Sequence, residues 1–178
     1  MEEIKKGYKK TKIGVIPEDW EKIELEKIIR IKKESFNPKK SNEIKKCIEL
    51  EHINQETGTI NGYTYSNLQK SNKYKFKKDD VLFGKLRPYL KKFWKANFDG
   101  VCSTEIWVLN GVKLTNSYLF YFIQQNKFIQ IANVSSGSKM PRADWKFMAN
   151  IPFIIPLLKE QEKIAKILST WDKAIELQ

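Results

Sequence analysis

Apolar residues recur along this chain with two different periods, and the change of period divides it. From residue 20 to residue 109 they alternate or come in short bursts. Trp20, Ile23, Leu25, Ile28 and Ile29 follow the turn signal Pro17-Glu18-Asp19 and predict a strand over residues 20–23 that passes into a helical turn. Residues 36–46 are polar around Asn37-Pro38 and predict a loop, whereas Cys47, Ile48, Leu50 and Ile53 predict a strand over residues 47–53. Thr57-Gly58 and Asn61-Gly62 mark turns. Residues 73–82 space their aromatics with lysines, as a half-exposed strand does, and Val81-Leu82-Phe83 is an apolar run closed by Gly84. Residues 93–97 and 101–109 predict two further strands on either side of the turn Asp99-Gly100.

Beyond residue 117 the period becomes helical. Tyr118, Tyr121, Phe122, Phe128, Ile129 and Ala132 share one stripe with Gln125, behind N-cap candidates Thr115 to Ser117, and predict a single helix over residues 117–134. The small-residue loop Ser135-Ser136-Gly137-Ser138 follows, then a strand over residues 151–155 ended by Pro156. Leu157, Gln161, Ile164, Leu168, Trp171 and Ile175 are spaced as a heptad seam, the candidate subunit interface. A helix of this length is marginal alone, so the seam needs a partner, either another chain or its own domain. The patterning predicts an α+β domain over residues 1–156, with a twisted, mostly antiparallel sheet and a few helices. A coiled-coil-type helix over residues 157–178 completes it. Residues 1–12 read as an exposed, charged lead-in.

Composition removes several classes of function. Ten Phe, seven Tyr and five Trp in a chain that is 41% hydrophobic supply a core. No apolar stretch nears the roughly 20 residues that span a bilayer, and no signal-peptide pattern opens the chain, so a soluble cytoplasmic protein is expected. Cys47, Cys102 and the single His52 fall short of the roughly four ligands of a structural zinc site, so both thiols are expected reduced in the core. One histidine excludes most triads, and no glycine-rich phosphate loop follows a strand. Asn37-Pro38-Lys39-Lys40 does not match the Asn/Asp-Pro-Pro-aromatic motif of an adenine methyltransferase. Neither metal nor cofactor is expected. Asp79-Asp80 reads as a turn, and Glu49 with Glu51 as one solvated strand face.

The net charge of +12 points to a polyanion, although a lysine-rich genome produces the same excess. Its distribution is more telling. Between residues 73 and 95, Lys73, Lys75, Lys77, Lys78, Lys85, Arg87, Lys91, Lys92 and Lys95 are opposed locally by Asp79 and Asp80 alone, with aromatic residues interleaved. Lys85, Arg87, Tyr89, Lys91, Lys92 and Trp94 are the candidate contact surface, and Arg87 carries the planar fork that suits guanine O6 and N7. Ser136, Ser138, Lys139 and Arg142 form a second candidate, suited to phosphate oxygens. Ser103, Thr104 and Glu105 form a third; the glutamate could accept from cytosine N4, orient Arg87 or pair with a lysine. Two other readings stay open: a metal-dependent nuclease using Asp19 with Glu43-Ile44-Lys45, and an assembly adaptor whose helix seam is its whole function.

Taken in order, several short segments resemble the specificity subunit of type I restriction-modification systems. They are Gly14-x-Ile16-Pro17-x-x-Trp20, the run from Val81 through Gly84-Lys85-Leu86-Arg87-Pro88 to Tyr89, Cys102-Ser103-Thr104-Glu105, Ser136-Gly137-Ser138, Ile151-Pro152, and Pro156-Leu157-x-x-x-Gln161-x-x-Ile164-Ala165-x-x-Leu168. The resemblance implies a target recognition domain, a mixed α/β globule that reads one half of a split double-stranded DNA site. It also implies a spacer helix that docks methyltransferase subunits and, through them, the restriction subunit, while the chain itself is no enzyme. Whole subunits of that family carry two such domains and two helices. One domain and the start of one helix suggest either a fragment or a half-subunit that dimerises through residues 157–175, which would predict a palindromic, interrupted target.

Overall fold

A computed structural model describes residues 4–12, 14–134 and 140–176. The chain opens with a hairpin, β1 (Tyr8–Thr11) and β2 (Gly14–Pro17), and the described part of the charged lead-in is mostly exposed, as expected. Next come β3 (Glu21–Glu24), the single helical turn α1 (Leu25–Ile28), β4 (Ile29–Lys32), β5 (Ser35–Phe36), β6 (Lys46–Ile48) and β7 (Thr64–Tyr65). The middle of the chain supplies β8 (Lys73–Phe76), β9 (Val81–Gly84), β10 (Phe93–Lys95), β11 (Gly100–Ser103) and β12 (Ile106–Gly111). Helices α2 (Asn116–Phe122), α3 (Asn126–Ala132) and α4 (Trp145–Ala149), strand β13 (Pro152–Ile155) and the long helix α5 (Leu158–Glu176) complete the order. The fold is α+β, as expected, but its strands form several sheets. A four-stranded sheet runs β10-β9-β12-β4, a five-stranded one runs β5-β8-β11-β6-β7, and β13 pairs with β3. All pairs are antiparallel except β6 with β11.

Alternation along the central strands explains this layering. Trp107 and Leu109 of β12, with Val81 and Phe83 of β9, face the core formed with α2, α3 and β13. Ile106, Val108 and Leu82 face the opposite way, into a second core with Ile48, Phe76 and Cys102 of the five-stranded sheet. The four-stranded sheet is therefore covered on both faces, which is why Val81-Leu82-Phe83 reads as continuous apolar sequence. Phe83 anchors the helical side, its ring centroid 5.4 Å from that of Phe128 and 6.1 Å from that of Trp107.

Three local expectations need correction. The helix predicted over residues 117–134 is two helices, because Gln125 is extended (φ −60°, ψ 140°) and starts α3 afresh. Phe128, Ile129 and Ala132 still join the core of Phe122, so the stripe survives the break. No glycine or proline marks the interruption. The strand predicted over residues 47–53 stops at Ile48, and a 3-10 turn at Leu50–His52 follows, with His52 Nδ1 accepting from Glu49 N at 2.9 Å. Glu49 and Glu51 consequently do not share a solvated face: Glu49 pairs with buried Lys73 at 2.6 Å, while Glu51 is exposed. Asp79 occupies the expected turn, but Asp80 is buried, 2.6 Å from Lys32 and accepting from Lys77 N and Asn110 Nδ2.

Helix α5 begins docked on the domain and ends exposed. Gln161, 1% exposed, accepts from Thr115 N and donates to the carbonyls of Lys113 and Pro156, all at 3.0 Å. Ala165 and Ile164 join the main core, and Tyr121 donates to Asp172 at 2.6 Å. Leu168, Trp171 and Ile175 are exposed. Gln161 is thus an internal tie, not the interface residue its heptad position predicted. Both cysteines are free and buried, and burial pushes the Cys47 thiol up to about 12. No helix among the described residues is long and apolar enough to cross a membrane.

Candidate nucleic-acid interface

Strands β9 and β10 are neighbours, so the eight residues between them, 85–92, form an excursion at one end of the four-stranded sheet. Other segments strap this loop on both sides. Lys85 N donates to Glu105 O at 3.0 Å, in the turn joining β11 to β12. Arg87 N donates to Pro141 O at 2.7 Å, and Ala143 N to Lys85 O at 2.9 Å. On the far side Gly84 N donates to Lys92 O at 2.8 Å, and Glu56 N to Lys91 O at 3.0 Å. Gly84 lies close to its neighbours: a Cβ there would come within 2.9 Å of Leu50 Cδ2, and that side chain would have to shift to admit it.

The loop is held in a costly conformation. Arg87 (φ 52°, ψ 61°) and Lys91 (φ 47°, ψ 50°) are both left-handed and bracket a 3-10 turn at Pro88–Leu90. Such backbone costs about 1–3 kcal/mol per residue and persists only where the surroundings over-determine it. Buried Pro88 and the backbone straps supply that determination. The result presents Arg87 and Tyr89 exposed at the tip, with Tyr89 52% accessible.

The polar groups divide sharply. Arg142 grips Glu105 with two bonds, Nε to Oε2 at 2.9 Å and Nη2 to Oε1 at 3.2 Å. The carboxylate holds the Arg142 guanidinium pKa above its ordinary value through these bonds. Glu105 therefore orients Arg142, not Arg87. Ser103 Oγ accepts from Glu105 N at 3.2 Å and fixes the turn, with Thr104 half-buried between them. Lys91 pairs with Glu56 at 2.8 Å, and Lys92 Nζ donates to Leu50 O at 2.7 Å.

Much of the local positive excess is neutralised by acids distant in sequence. Lys73 pairs with Glu49, Lys75 with Glu34 and Lys77 with Asp99, while Lys95 lies 3.3 Å from Asp79. Lys85 and Arg87 carry no ion pair among the described residues. Trp94 is a correction. It lies opposite Leu82 in the pairing of β10 with β9, is 4% exposed, and packs its ring 5.2 Å from Phe98 and 5.9 Å from Phe76. It offers no face to a duplex. Ser136, Ser138 and Lys139 lie outside the described residues, whereas Arg142 is exposed beside the loop. The structure thus joins three segments that the sequence presented separately: residues 85–91, 103–105 and 141–143. It adds a fourth around Glu56, for which the turn Thr57-Gly58 was the only signal.

No group of three or more His, Cys, Asp or Glu among the described residues is arranged to hold a metal ion. Glu43 pairs with its neighbour Lys45 at 2.6 Å, and Asp19 lines a hollow with Leu157 and Leu158 at the start of α5.

The profile of the type I restriction modification DNA specificity domain matches residues 17–178, and the chain belongs to that family. Among curated relatives, the specificity subunit of the type I restriction enzyme EcoDI from Escherichia coli is 28% identical over 166 residues, covering 90% of this chain and 36% of that protein. The MjaVIII specificity subunit from Methanocaldococcus jannaschii is 25% identical, covering 97% of this chain and 44% of the relative. The fold matches a crystal structure of the HsdS subunit from Thermoanaerobacter tengcongensis with a TM-score of 0.75 at 21% identity, over 91% of this chain and 44% of that one. The chain therefore spans less than half the length of these relatives.

Proposed function

We propose that the chain reads one half of a bipartite double-stranded DNA target and has no catalytic role of its own. The observation that carries this reading is the strapped edge where Lys85, Arg87 and Tyr89 meet the Glu105–Arg142 pair. A guanidinium with no ion pair among the described residues, at a strapped, exposed tip, is the group that reads guanine, and Arg142, pre-oriented by Glu105, supplies a second fork. Lys85, Lys91 and Lys92 add positive potential along the loop, and the side-chain chemistry of Ser136, Ser138 and Lys139 suits phosphate oxygens. Membership of the specificity-domain family supports the same reading.

In this proposal residues 1–156 are the recognition domain and α5 is the spacer. Its exposed Leu168, Trp171 and Ile175 meet a second helix, either in a second copy of this chain or in the rest of a longer subunit. Methyltransferase subunits, and through them the restriction subunit, supply the chemistry and the cofactor in the cytoplasm. The test is duplex binding as a function of salt. Affinity should fall steeply as salt rises, and removing a phosphate-contacting lysine should reduce the slope by about one. Salt-independent binding, or none, refutes the proposal.

A further inference from the structure

The loop between β6 and β7 reaches the same edge, and one of its side-chain amides makes no hydrogen bond among the described residues. We propose that Gln55 is a base-reading residue that selects adenine, so that the loop around Glu56 forms a third wall of the recognition surface. This assignment rests on the duplex-reading role proposed above.

Placement is the first argument. Gln55 forms an isolated antiparallel bridge with Lys92, Glu56 N donates to Lys91 O, and Lys91 Nζ returns to Glu56 Oε1 at 2.8 Å. Lys92 Nζ ties the base of the same loop through Leu50 O. Residues 55–56, 91–92, 84–85 and 105 therefore lie side by side as one hydrogen-bonded row. Neighbouring strands stand about 4.8 Å apart, so the row is roughly 15 Å wide. That width matches about four base pairs at 3.4 Å each.

The second argument is which polar groups remain available. Asn54 Nδ2 donates to Thr59 Oγ1 at 2.9 Å, and Asn61 Nδ2 donates to Glu51 O at 3.1 Å and Asn54 Oδ1 at 3.2 Å. Those amides are consumed in holding the loop. Gln55 is exposed, and its amide makes no hydrogen bond within the described residues. A glutamine amide presents one acceptor and paired donors, the complement of adenine N6 and N7, whereas Arg87 presents only donors.

Backbone strain marks the same place. Four non-glycine residues among those described have positive φ: Glu56, Asp79, Arg87 and Lys91. Two of the four, Glu56 and Lys91, lie on this row, and Arg87 lies in the loop that joins two of its segments. Glu56, at φ 64°, fixes the direction of the chain immediately after Gln55. Sparsely populated backbone gathered on an exposed edge is a signature of a preorganised binding surface.

The deciding experiment is selection from a pool of randomised DNA duplexes, run with the chain and with Gln55→Ala, Gln55→Glu and Arg87→Ala. The wild type should enrich an adenine at one position. Gln55→Ala should lose that preference, a discrimination of about 5- to 150-fold, and keep the other positions. Gln55→Glu should exchange adenine for cytosine, whose N4 a carboxylate accepts from. Both variants should melt as the wild type does, since the side chain has no hydrogen-bond partner to lose among the described residues. If both Gln55 variants select the wild-type sequence while Arg87→Ala relaxes one position, the assignment fails and the duplex-reading role stands. If the wild type enriches nothing, both fail.

Discussion

Glu105 and Arg142, from segments 37 residues apart, meet in a two-point contact that locks the β11–β12 turn to the strand-like stretch beside the loop of residues 85–92. Neither residue is fully buried, so the pair adds little to stability. Its consequence is geometric, because it aims a planar guanidinium. Arg142→Lys keeps the charge but cannot make both bonds. Arg142→Lys is therefore expected to weaken duplex binding as much as Arg142→Ala does, with the melting temperature nearly unchanged in each. Fluorescence anisotropy on a selected duplex, with thermal melts alongside, measures both effects.

Phe83 is fully buried between Phe128 and Trp107, with the four-stranded sheet behind it. Truncation to alanine removes most of a ring from the main core and leaves a cavity. The expected loss is about 3–5 kcal/mol, read as a lower denaturant midpoint with an unchanged slope. The loop proposed to contact DNA starts two residues later, at Lys85, so duplex affinity at temperatures near the new melting point should fall with it.

These two sites show what could be read from the sequence. Phe83 was legible as core because Val81-Leu82-Phe83 is apolar without interruption, the mark of a strand covered on both faces. Trp94 was misplaced for the same reason. Alternation says that Phe93 and Trp94 face opposite ways, but it cannot say that the second face is covered by another sheet. Arg87 and the Glu105 turn were legible as chemistry, yet their meeting depends on long-range strand pairing. The positive excess of residues 73–95 was overestimated because its neutralising acids, such as Glu34 opposite Lys75, come from 41 residues away. The break at Gln125 had no signal, since each half of the stripe packs on one core.

Cys47 makes the sharpest pH prediction. Burial and the nearby Glu49 carboxylate raise its thiol from 9.0 to about 12. A raised pKa means the folded state holds its proton more tightly than the unfolded chain does. The thiol's contribution to stability is therefore complete below pH 9 and is lost progressively as pH rises toward 12. Native protein at pH 8 should react with a thiol reagent only at the rate of unfolding, and denatured protein immediately. Cys47→Ala should show a shallower fall in stability across the alkaline window than the wild type, measured by urea titration at successive pH values.

The heptad seam of α5 is expected to separate into two behaviours at Ile164. Upstream, Gln161 is buried and satisfies Thr115 N and the carbonyls of Lys113 and Pro156. Gln161→Leu leaves those groups unpaired, at roughly 1–3 kcal/mol for each one that water does not reach. Downstream, Trp171 and Ile175 are 66% and 67% exposed and contribute little to the domain. Trp171→Asp should leave monomer stability within about 0.5 kcal/mol of the wild type. Placed in a helix–helix seam, the same aspartate would bury a charge without a partner and abolish association. Sedimentation equilibrium and urea denaturation on the two variants test the division. Gln161→Leu should lower the midpoint, and Trp171→Asp should lower only the average mass. If Trp171→Asp leaves the mass of a self-associating chain unchanged, the seam is not the contact, and the exposed half of α5 serves some other surface.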